Sequence, residues 1–406
     1  MKILLVNKFY FEKGGAERYL FSLQDLLEDA GHEVVPFAMR HPKNVKTEAD
    51  RFFVSRVDLE RPRFSWQGIR AAGRVIYSFE AVRRLRALLA VFKPDVAHLH
   101  NIYHQLSPSV LKALHDGGVP IVQTLHDYAY LSPSYGLFDH GAVCERVKPR
   151  RYFAAVGHRC VKNSFFASIL DAAAYRLHAA LGLDERLVDR LIAPSEFVKR
   201  KFAEWGRDEK KIEVLPHFID AARTEPVYVP GDNLLYVGRL SEEKGIGVLV
   251  AAMERLTEER LKIVGAGPME RRLKDYVASA KLRNVEFAGA LDHPATLRAI
   301  AASRLVVVPS LSHETFGYAP LEAHALGKAV IASSVGALPE AVMHGETGLL
   351  VPPNDVDALV KAVKALSDNE PLMRRFGAAG RERVLARYRP EDHLARLEEI
   401  YRKVLY

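Results

Sequence analysis

Residues 305–322 read Leu-Val-Val-Val-Pro-Ser-Leu-Ser-His-Glu-Thr-Phe-Gly-Tyr-Ala-Pro-Leu-Glu. The apolar, β-branched run from Leu305 to Pro309 predicts a buried strand. A helix is expected from about Phe316, which gives the strand–turn–helix order of an α/β unit. Glu314 precedes this helix and Glu322 lies about two turns into it, so both carboxylates could face one crevice. An N-capping carboxylate and an unrelated exposed glutamate would give the same spacing.

The alternation of short β-branched runs with helical stretches continues along the whole chain and predicts parallel sheets with crossover helices. A helix is expected from Ala16 to Ala30, with Gly31 just beyond its end. In the first half, strands are expected at 2–7, 33–38, 95–99 and 119–125. A second series is expected at 191–193, 212–215, 234–238, 261–264, 285–288, 305–309 and 329–332. The sequence therefore predicts two α/β units in tandem.

Length and composition restrict the class of protein. The 406 residues exceed one compact core and fit two domains, with a boundary expected near residues 190–195. No apolar run approaches the ~18 residues of a membrane-spanning helix. The two cysteines, Cys144 and Cys160, imply no disulfide framework. We therefore expect a globular protein of the cytoplasm.

Positive charge is concentrated in the first half of the chain. The net charge is +8, and residues 1–192 contribute +7 of it. The excess lies mainly between Arg51 and Lys93 and between Arg146 and Lys162. A one-sided basic field indicates an anionic partner, which could be phosphate, nucleic acid or a membrane surface.

The basic segment 51–93 has two possible interpretations. It carries ten Lys and Arg against three Asp and Glu, and its apolar residues have helical spacing. The apolar side either docks on an anionic membrane surface or faces the core of the first domain, with the arginines solvated. The apolar residues concerned are Ile69, Val75, Ile76, Phe79, Val82, Leu85, Leu88 and Leu89.

A glycine pair, Gly14-Gly15, follows the first strand and opens the first helix. Two glycines let the backbone approach a ligand closely, and free N–H groups at a helix start attract an anion. A tight turn without a ligand explains the pair equally well. The spacing is not Gly-x-Gly-x-x-Gly, and the second strand ends in Met39-Arg40 instead of an acidic residue. Both observations weigh against an NAD enzyme.

Two cations, Arg239 and Lys244, follow the strand predicted at 234–238. They stand in the stretch Gly238-Arg-Leu-Ser-Glu-Glu-Lys-Gly245, at the carboxyl edge of the sheet where α/β proteins bind ligands. An arginine fork and a lysine point charge suit a diphosphate. Taken alone, the stretch is equally compatible with a solvated loop.

The ordered set of motifs resembles the family-4 retaining glycosyltransferases of the GT-B fold, and in particular bacterial members of cell-surface polysaccharide and glycolipid pathways. The resemblance rests on Gly14-Gly15, Gly-Arg-Leu-x3-Lys-Gly and Glu-x7-Glu. It is supported by the stretches at 193–196, 264–268 and 345–351, and it covers nearly the whole chain. It implies two Rossmann-like domains whose parallel sheets face a central cleft. The implied division is 1–192 for the acceptor side, 193–385 for the nucleotide sugar, and 386–406 for a helix that returns to the first domain.

The resemblance also implies roles for individual residues. Arg239 and Lys244 would bind the donor diphosphate and stabilise it as a leaving group. Glu314 would contact the transferred sugar, and Glu322 would accept hydrogen bonds from the ribose. His126, at the end of a first-domain strand, would lie near the sugar. The implied catalytic residues are His126, Arg239, Lys244 and Glu314, and the implied donor-binding residues are Gly14, Gly15, Gly238, Gly267, Phe316, Gly317 and Glu322.

The implied reaction is metal-independent transfer with retention of the anomeric configuration. The donor would be a nucleotide-diphosphate sugar, with a UDP-sugar favoured over a GDP-sugar, and no cofactor is expected. The acceptor would be a glycan or a lipid-linked glycan. The expected location is the cytoplasm, with peripheral attachment to the inner face of the plasma membrane as a further possibility.

The sequence allows three other interpretations. A sugar-nucleotide epimerase on the same fold would carry a different set of carboxylates and histidines. A nucleic-acid-binding protein would interleave its basic residues with stacking aromatics, and no such motif is present, so no nucleic-acid partner is expected. Cys144 and Cys160 with His140 and His158 could ligate zinc, although Val147 interrupts a Cys-x-x-Cys pair and a plain surface loop is favoured.

Overall fold

The computed structural model describes residues 1–57 and 73–406, and these form two compact units. Unit 1 comprises Met1–Leu137, apart from the undescribed residues 58–72, with Glu145–Leu215 and Leu394–Tyr406. Unit 2 comprises Phe138–Cys144 and Pro216–His393.

Unit 1 is built on a six-stranded parallel sheet. Strands are numbered along the whole chain, and those of unit 1 are β1 (Lys2–Val6), β2 (Glu33–Phe37), β3 (Val96–Leu99), β4 (Ile121–Thr124), β7 (Arg190–Ala193) and β8 (Ile212–Val214). They pair in the order β2-β1-β3-β4-β7-β8. Strands β3 and β4 are buried throughout, as expected for a parallel sheet covered on both faces.

The helices of unit 1 pack against this sheet. They are α1 (Gly15–Asp29), α2 (Phe79–Phe92), α3 (Ser109–Asp116), α4 (Ala154–Gly157), α5 (Phe165–Leu181), α6 (Leu183–Arg186), α7 (Glu196–Glu204) and α15 (Pro390–Leu405). Helix α1 confirms the expected end, because Gly31 follows it with a φ of +82°. Helix α5 begins after Ser164, whose hydroxyl accepts a hydrogen bond from the Ala167 N–H, and ends at Gly182.

The C-terminal helix α15 packs in unit 1, as the sequence predicts. Leu397, Ile400 and Tyr401 are fully buried. The Tyr401 hydroxyl lies 2.7 Å from Nδ1 of His98, at the centre of the first sheet. Helix α15 is therefore part of the core of unit 1, although some 180 residues of unit 2 precede it in the chain.

Unit 2 is built on a second six-stranded parallel sheet. Its strands are β9 (Leu234–Val237), β10 (Leu261–Val264), β11 (Val285–Gly289), β12 (Leu305–Val308), β13 (Val330–Ser333) and β14 (Gly348–Val351). They pair in the order β11-β10-β9-β12-β13-β14, which is the doubly wound Rossmann order. The short hairpin of β5 (Phe138–Asp139) and β6 (Ala142–Val143) groups with this unit.

Seven helices described in unit 2 cover its sheet. They are α8 (Ile246–Ala252), α9 (Glu270–Ser279), α10 (His293–Ala301), α11 (Tyr318–Ala325), α12 (Leu338–Ala341), α13 (Val356–Ser367) and α14 (Glu370–Arg387). Several begin at carboxylate or amide caps, such as Asp292 before α10 and Asn369 before α14.

The first unit extends to Leu215 instead of ending at residue 192, which differs from the division expected from the sequence. The reason is that β7 pairs with β4, and β8 pairs with β7. Both strands were expected to open the second series. Likewise, unit 2 extends to His393, and the segment that rejoins unit 1 begins at Leu394 instead of residue 386.

The basic segment 51–93 is described in part. Residues 58–72, which include Ile69 and Arg70, lie outside the described residues. Helix α2 turns its apolar side to the core of unit 1 through Val82, Leu85 and Leu88, so this part follows the core interpretation. Among residues 1–57 and 73–406, no helix is both long and apolar enough to span a bilayer.

Candidate functional site

The strand order of unit 2 reverses between β9 and β12, and this point positions most of the predicted site residues. The two strands are parallel neighbours, so their carboxyl ends lie at the same edge of the sheet. Crevices at such switch points are the usual ligand sites of doubly wound sheets. Arg239 and Lys244 follow β9, whereas Glu314 follows β12.

Lys244 and Glu314 form the central contact of this edge. The Lys244 ammonium donates hydrogen bonds of 2.7 and 2.9 Å to the two carboxylate oxygens of Glu314. The Ser310 hydroxyl donates a third, of 2.6 Å. Burial raises the pKa of Glu314, but the charge and hydrogen bonds of Lys244 and the Ser310 hydroxyl outweigh it, so the net shift is downward. Glu314 is therefore ionised at neutral pH.

Gly245 explains how Lys244 reaches this position. Its φ is +65°, and a Cβ at this residue would lie 1.8 Å from the backbone oxygen of Pro309. Only glycine accepts both the left-handed backbone and the close approach. The loop after β9 therefore packs directly on the end of β12. Backbone N–H groups of Leu311 and Ser312 also donate to the Glu243 oxygen, which joins the two loops.

Arg239 differs from Lys244 in being exposed. Within the described chain its guanidinium makes no hydrogen bond or ion pair, whereas its backbone oxygen accepts a 2.8 Å bond from the Tyr236 hydroxyl. The loop is thus fixed while the side chain remains available to an anion.

Phe316 and Gly317 stand at the start of α11. The Phe316 side chain is buried in the core, 4.8 Å from the ring of His217, so a contact with the donor can come only from its backbone. Neither its N–H nor that of Gly317 has an acceptor among the described residues. Gly317 has a φ of +98° as the residue before the helix. Two N–H groups and the positive end of the helix dipole thus lie close in the chain to Glu314.

Glu322 lies inside α11 and is almost completely buried. Its Oε1 atom is 3.0 Å from Nε2 of His293, the first residue of α10. His293 was not identified from the sequence. The available signal was its position four residues after the end of β11, in the sequence Asp292-His293-Pro294. The Glu314 and Glu322 carboxylates therefore have different hydrogen-bond partners.

Gly238 and Gly267 lie where the loops after β9 and β10 meet. A Cβ at Gly267 would be 2.4 Å from the Leu240 oxygen, and a Cβ at Gly265 would be 1.9 Å from the Gly238 oxygen. The close approach of the two loops therefore requires glycine at 265 and 267, and a ligand is not needed to explain these glycines. Gly267 supports the loop that carries Arg239, and a direct donor contact remains a prediction.

In unit 1, Gly14 and Gly15 form the turn into α1. Gly14 is extended, and a Cβ there would meet only Glu17 Oε2, at 3.9 Å. The chain itself therefore does not need glycine at 14. Asn7, at the end of β1, positions this turn: its Nδ2 donates to Glu17 Oε1, and its Oδ1 accepts from the Asn101 N–H. Neither Asn7 nor Glu17 was identified from the sequence.

His126 follows β4, with its Nε2 atom 3.0 Å from Nδ1 of His100, which follows β3. Burial, with the nearby charge of Lys8, lowers the pKa of His126 to about 3. His126 is therefore a neutral imidazole at physiological pH. It lines a small cavity within unit 1, together with Asn101, Gln123 and Asp127. His100 was not identified from the sequence.

In residues 1–57 and 73–406, no three His, Cys, Asp or Glu side chains are grouped so as to hold a metal ion. The sequence contains one Asp-x-Asp triplet, Asp355-Val356-Asp357. Asp355 caps α13 by accepting from the Ala358 N–H, and Asp357 pairs with Arg255 on the surface. Both carboxylates thus have structural partners.

Two family models together match nearly the whole chain. The model described as Glycosyltransferase Family 4 matches residues 13–223, which is more than half of the chain. The model described as Glycosyl transferases group 1 matches residues 225–383, which contain the Lys244–Glu314 site. The two matches meet close to the observed division between the units.

Individual proteins agree with these matches. The chain is 29% identical to a glycogen synthase of Mycobacterium tuberculosis, over 95% of this chain and 90% of that protein. It is 26% identical to a phosphatidyl-myo-inositol mannosyltransferase of Mycolicibacterium smegmatis, over 95% and 89%. The crystal structure of Anabaena HepE in complex with UDP-glucose superposes with a TM-score of 0.71, at 17% identity over 99% of this chain and 100% of that one. With its two Rossmann-like sheets and its matching family models, the chain belongs to Glycosyltransferase Family 4 and is a glycosyltransferase of the GT-B fold.

Proposed function

We propose that this glycosyltransferase moves a sugar from a nucleotide-diphosphate sugar to a hydroxyl of a glycan or lipid-linked glycan, in cell-surface polysaccharide or glycolipid synthesis. The observation that carries the proposal is the Lys244–Glu314 pair beside the exposed Arg239, at the switch point of the second sheet. A UDP-sugar is favoured over a GDP-sugar, and HepE, a protein of the same fold, binds UDP-glucose.

The charges of the site suit a departing diphosphate. As the bond between the anomeric carbon and the phosphate oxygen breaks, negative charge grows on the diphosphate and positive charge grows on the sugar. Arg239, Lys244 and the free N–H groups of Phe316 and Gly317 supply fixed positive potential for that negative charge. Protein cations thus take the place of a metal, and the reaction is metal-independent.

The transfer retains the anomeric configuration. The acceptor oxygen attacks the anomeric carbon from the same face that the diphosphate leaves. The leaving phosphate oxygen accepts the proton of the acceptor hydroxyl. No enzyme carboxylate acts as a nucleophile. Glu314 already accepts hydrogen bonds from Lys244 and Ser310, and its role is to orient Lys244 and to contact the sugar hydroxyls.

The remaining predicted residues bind parts of the same donor. Glu322 accepts hydrogen bonds from the ribose, with its carboxylate oriented by His293. In unit 1, the backbone at Gly14 and Gly15 binds the diphosphate. His126 acts as a neutral hydrogen-bonding group near the sugar, because its lowered pKa leaves no charge to repel the positive sugar in the transition state.

The enzyme works in the cytoplasm, at the inner face of the plasma membrane. The net charge of +7 in residues 1–192 supports attachment to an anionic leaflet. A lipid-linked acceptor would be presented there.

A nucleotide-sugar screen tests the function. The purified chain is incubated with UDP- and GDP-sugars, and release of nucleoside diphosphate is measured with lipid-linked glycan, with soluble glucan and without acceptor. We expect slow release from one donor and faster release with lipid-linked glycan. Faster release with glucan alone would replace the cell-surface role with storage-glucan synthesis. Conversion of the donor to its epimer, without release, would establish the epimerase alternative.

A further inference from the structure

An aromatic cluster in unit 1 is formed by residues that follow β1 and β2. The Phe11 and His41 rings stack with their centres 4.4 Å apart and 18° between their planes. The Phe9 ring, 5.3 Å from that of Phe11, is part of the core of unit 1. Phe11 and His41 are only partly buried. The cluster therefore fixes the loop after β1 against the loop after β2 at the protein surface.

Positive side chains surround this cluster. Burial and the charges of Arg56, Lys43 and Lys13 lower the pKa of His41, so all three cations lie near its ring. The Lys13 ammonium is 4.6 Å from the centre of the Phe9 ring. Lys43 and Arg56 are exposed, and neither forms an ion pair with any residue in 1–57 or 73–406. These two cations are therefore available to an anion.

His41 adds a hydrogen-bond donor to the two cations. Its Nδ1 atom accepts a 3.2 Å bond from the backbone N–H of Lys43. Because Nδ1 is the acceptor, the neutral ring carries its proton on Nε2. The lowered pKa of His41 keeps the ring in this neutral form at pH 7. The ring can therefore donate one N–H group to an anion held by its neighbours.

Lys8 connects the cluster with the predicted site residues of unit 1. Its backbone N–H donates to the Asn101 oxygen after β3, and its backbone oxygen accepts from the Met39 N–H after β2. Its ammonium is 5.9 Å from the centre of the Phe9 ring. Burial and the charge of Lys8 lower the pKa of His126. The cluster thus lies at the same edge of the first sheet as His126, which the proposed function puts near the transferred sugar.

We propose that Lys43, Arg56 and the Nε2–H group of His41 bind the phosphate or diphosphate of a phosphorylated saccharide acceptor. An arginine fork and a lysine point charge suit such a group. A phosphate monoester carries a charge of about −1.5 to −2 at neutral pH, so it matches two cations better than one carboxylate would. The inference deepens the proposed function by naming the class of acceptor, and it rests on that function. The phosphate of a soluble sugar and the diphosphate of a lipid-linked sugar share this chemistry.

Titration of the full chain with inorganic pyrophosphate tests the subsite without an acceptor. The parent should bind two pyrophosphates, one at the proposed donor site and one here. Lys43→Gln/Arg56→Gln should weaken one of them at least about tenfold, and Arg239→Ala should weaken the other. Lys46→Gln/Arg51→Gln is the matched control, because it removes two exposed charges from the same stretch and neither charge acts on His41.

Transfer kinetics test the class of acceptor. The acceptors are the lipid-linked glycan of the nucleotide-sugar screen, its water-soluble 1-phosphate and its dephosphorylated form. We expect Lys43→Gln/Arg56→Gln to raise the KM of the phosphorylated acceptors at least about tenfold without raising the KM of the dephosphorylated form. The control should keep the parent kinetics. Transfer to only one of the phosphorylated forms would support the subsite and identify the source of the phosphate.

An unchanged KM for the phosphorylated acceptors, or an equal rise in the control, would overturn the proposal. Donor hydrolysis with unchanged pyrophosphate binding in Lys43→Gln/Arg56→Gln would remove this inference and leave the proposed function intact. If the parent hydrolyses no donor, the proposed function fails. Pyrophosphate binding that only Lys43→Gln/Arg56→Gln loses would then show an anion site without a role in acceptor binding.

Discussion

The Lys244 ammonium lies 2.7 Å from Oε1 and 2.9 Å from Oε2 of Glu314, and the pair joins two loops that are 70 residues apart in the chain. The lysine is thus held by a partly buried carboxylate. The other cation of this edge, Arg239, is exposed and makes no ion pair within the described residues. Loss of the two cations should therefore have the same effect on catalysis but different effects on stability.

Arg239→Ala and Lys244→Ala should each lower turnover by ~10²-fold or more, because each removes a fixed positive charge from the leaving diphosphate. Arg239→Ala should leave the urea midpoint unchanged. Lys244→Ala should lower it, because the Glu314 carboxylate loses its charged partner. Steady-state kinetics and urea unfolding measure the two effects.

Lys262→Ala is the matched control for both variants, since Lys262 forms a partly exposed ion pair with Glu286 in the same sheet. It should retain both turnover and stability. Near-normal turnover in both Arg239→Ala and Lys244→Ala would refute the proposed leaving-group site.

Gly245→Ala should inactivate the enzyme and lower its free energy of unfolding by at least about 2 kcal/mol. The added methyl group would collide with the Pro309 oxygen in a left-handed backbone, and relief of this collision displaces Lys244. In Gly247→Ala, two residues further in helix α8, the added methyl group meets only Cε of Met269, at an ordinary contact distance of 3.9 Å. That control should be active and up to about 1 kcal/mol more stable. Equal behaviour of the two variants would contradict this account.

Turnover should persist in excess chelator, because protein groups supply the positive potential at the diphosphate. The measurement is the release of nucleoside diphosphate before and after exhaustive treatment with EDTA. A complete loss that manganese or magnesium restores would show that Arg239 and Lys244 do not suffice.

The first-formed product should keep the anomeric configuration of the donor. Proton NMR during the first turnovers reads the coupling constant of the anomeric proton before mutarotation or hydrolysis obscures it. An inverted centre would require a general base for the acceptor, and would exclude the proposed same-face attack.

Acid should weaken the fold partly through His324. Burial lowers the pKa of this histidine from its ordinary 6.5 to about 4. Between pH 6.5 and 4, His324 is protonated in the unfolded chain but neutral in the folded chain. The contribution of neutral His324 to the free energy of unfolding is therefore complete above pH 6.5 and is lost as the pH falls towards 4. In His324→Gln, the slope of the unfolding free energy between these pH values should fall by up to about 1.4 kcal/mol per pH unit.

Urea unfolding at several pH values measures this slope. His158→Gln, at an exposed histidine, is the control and should keep the parent slope. An unchanged slope in His324→Gln would show that His324 titrates alike in the folded and unfolded chains.

The strands were predictable where apolar runs were strong, as in Leu305–Val308, because buried parallel strands require such runs. Sheet membership was not predictable for Arg190–Ala193 and Ile212–Val214. Their local pattern is the same whether they close the first sheet or open the second, and only pairing with β4 decides it. The strand Gly348–Val351 was quoted as part of a motif but not recognised as a strand.

The position of some candidate residues was predictable. The location of Arg239, Lys244 and Glu314 at the carboxyl edge of the second sheet could be predicted, because each lies in the loop that follows a strong strand. Their roles in donor binding stay predictions. His293 and His100 could not be identified from the sequence. Their contacts with Glu322 and His126, respectively, form only in the tertiary fold. For Phe316, the sequence could not show that the side chain is buried in the core, because that depends on tertiary packing.

The contribution of α15 to unit 1 has a consequence for biosynthesis. His98, at the centre of the first sheet, gains its Tyr401 partner only when the final helix has been made. Domains usually fold in the order in which the ribosome delivers them. Here unit 1 begins before unit 2 but is completed after it. The core of unit 1 therefore lacks helix α15 while unit 2 is being synthesised. Ribosome-associated chaperones therefore have an extended interval in which to engage this chain.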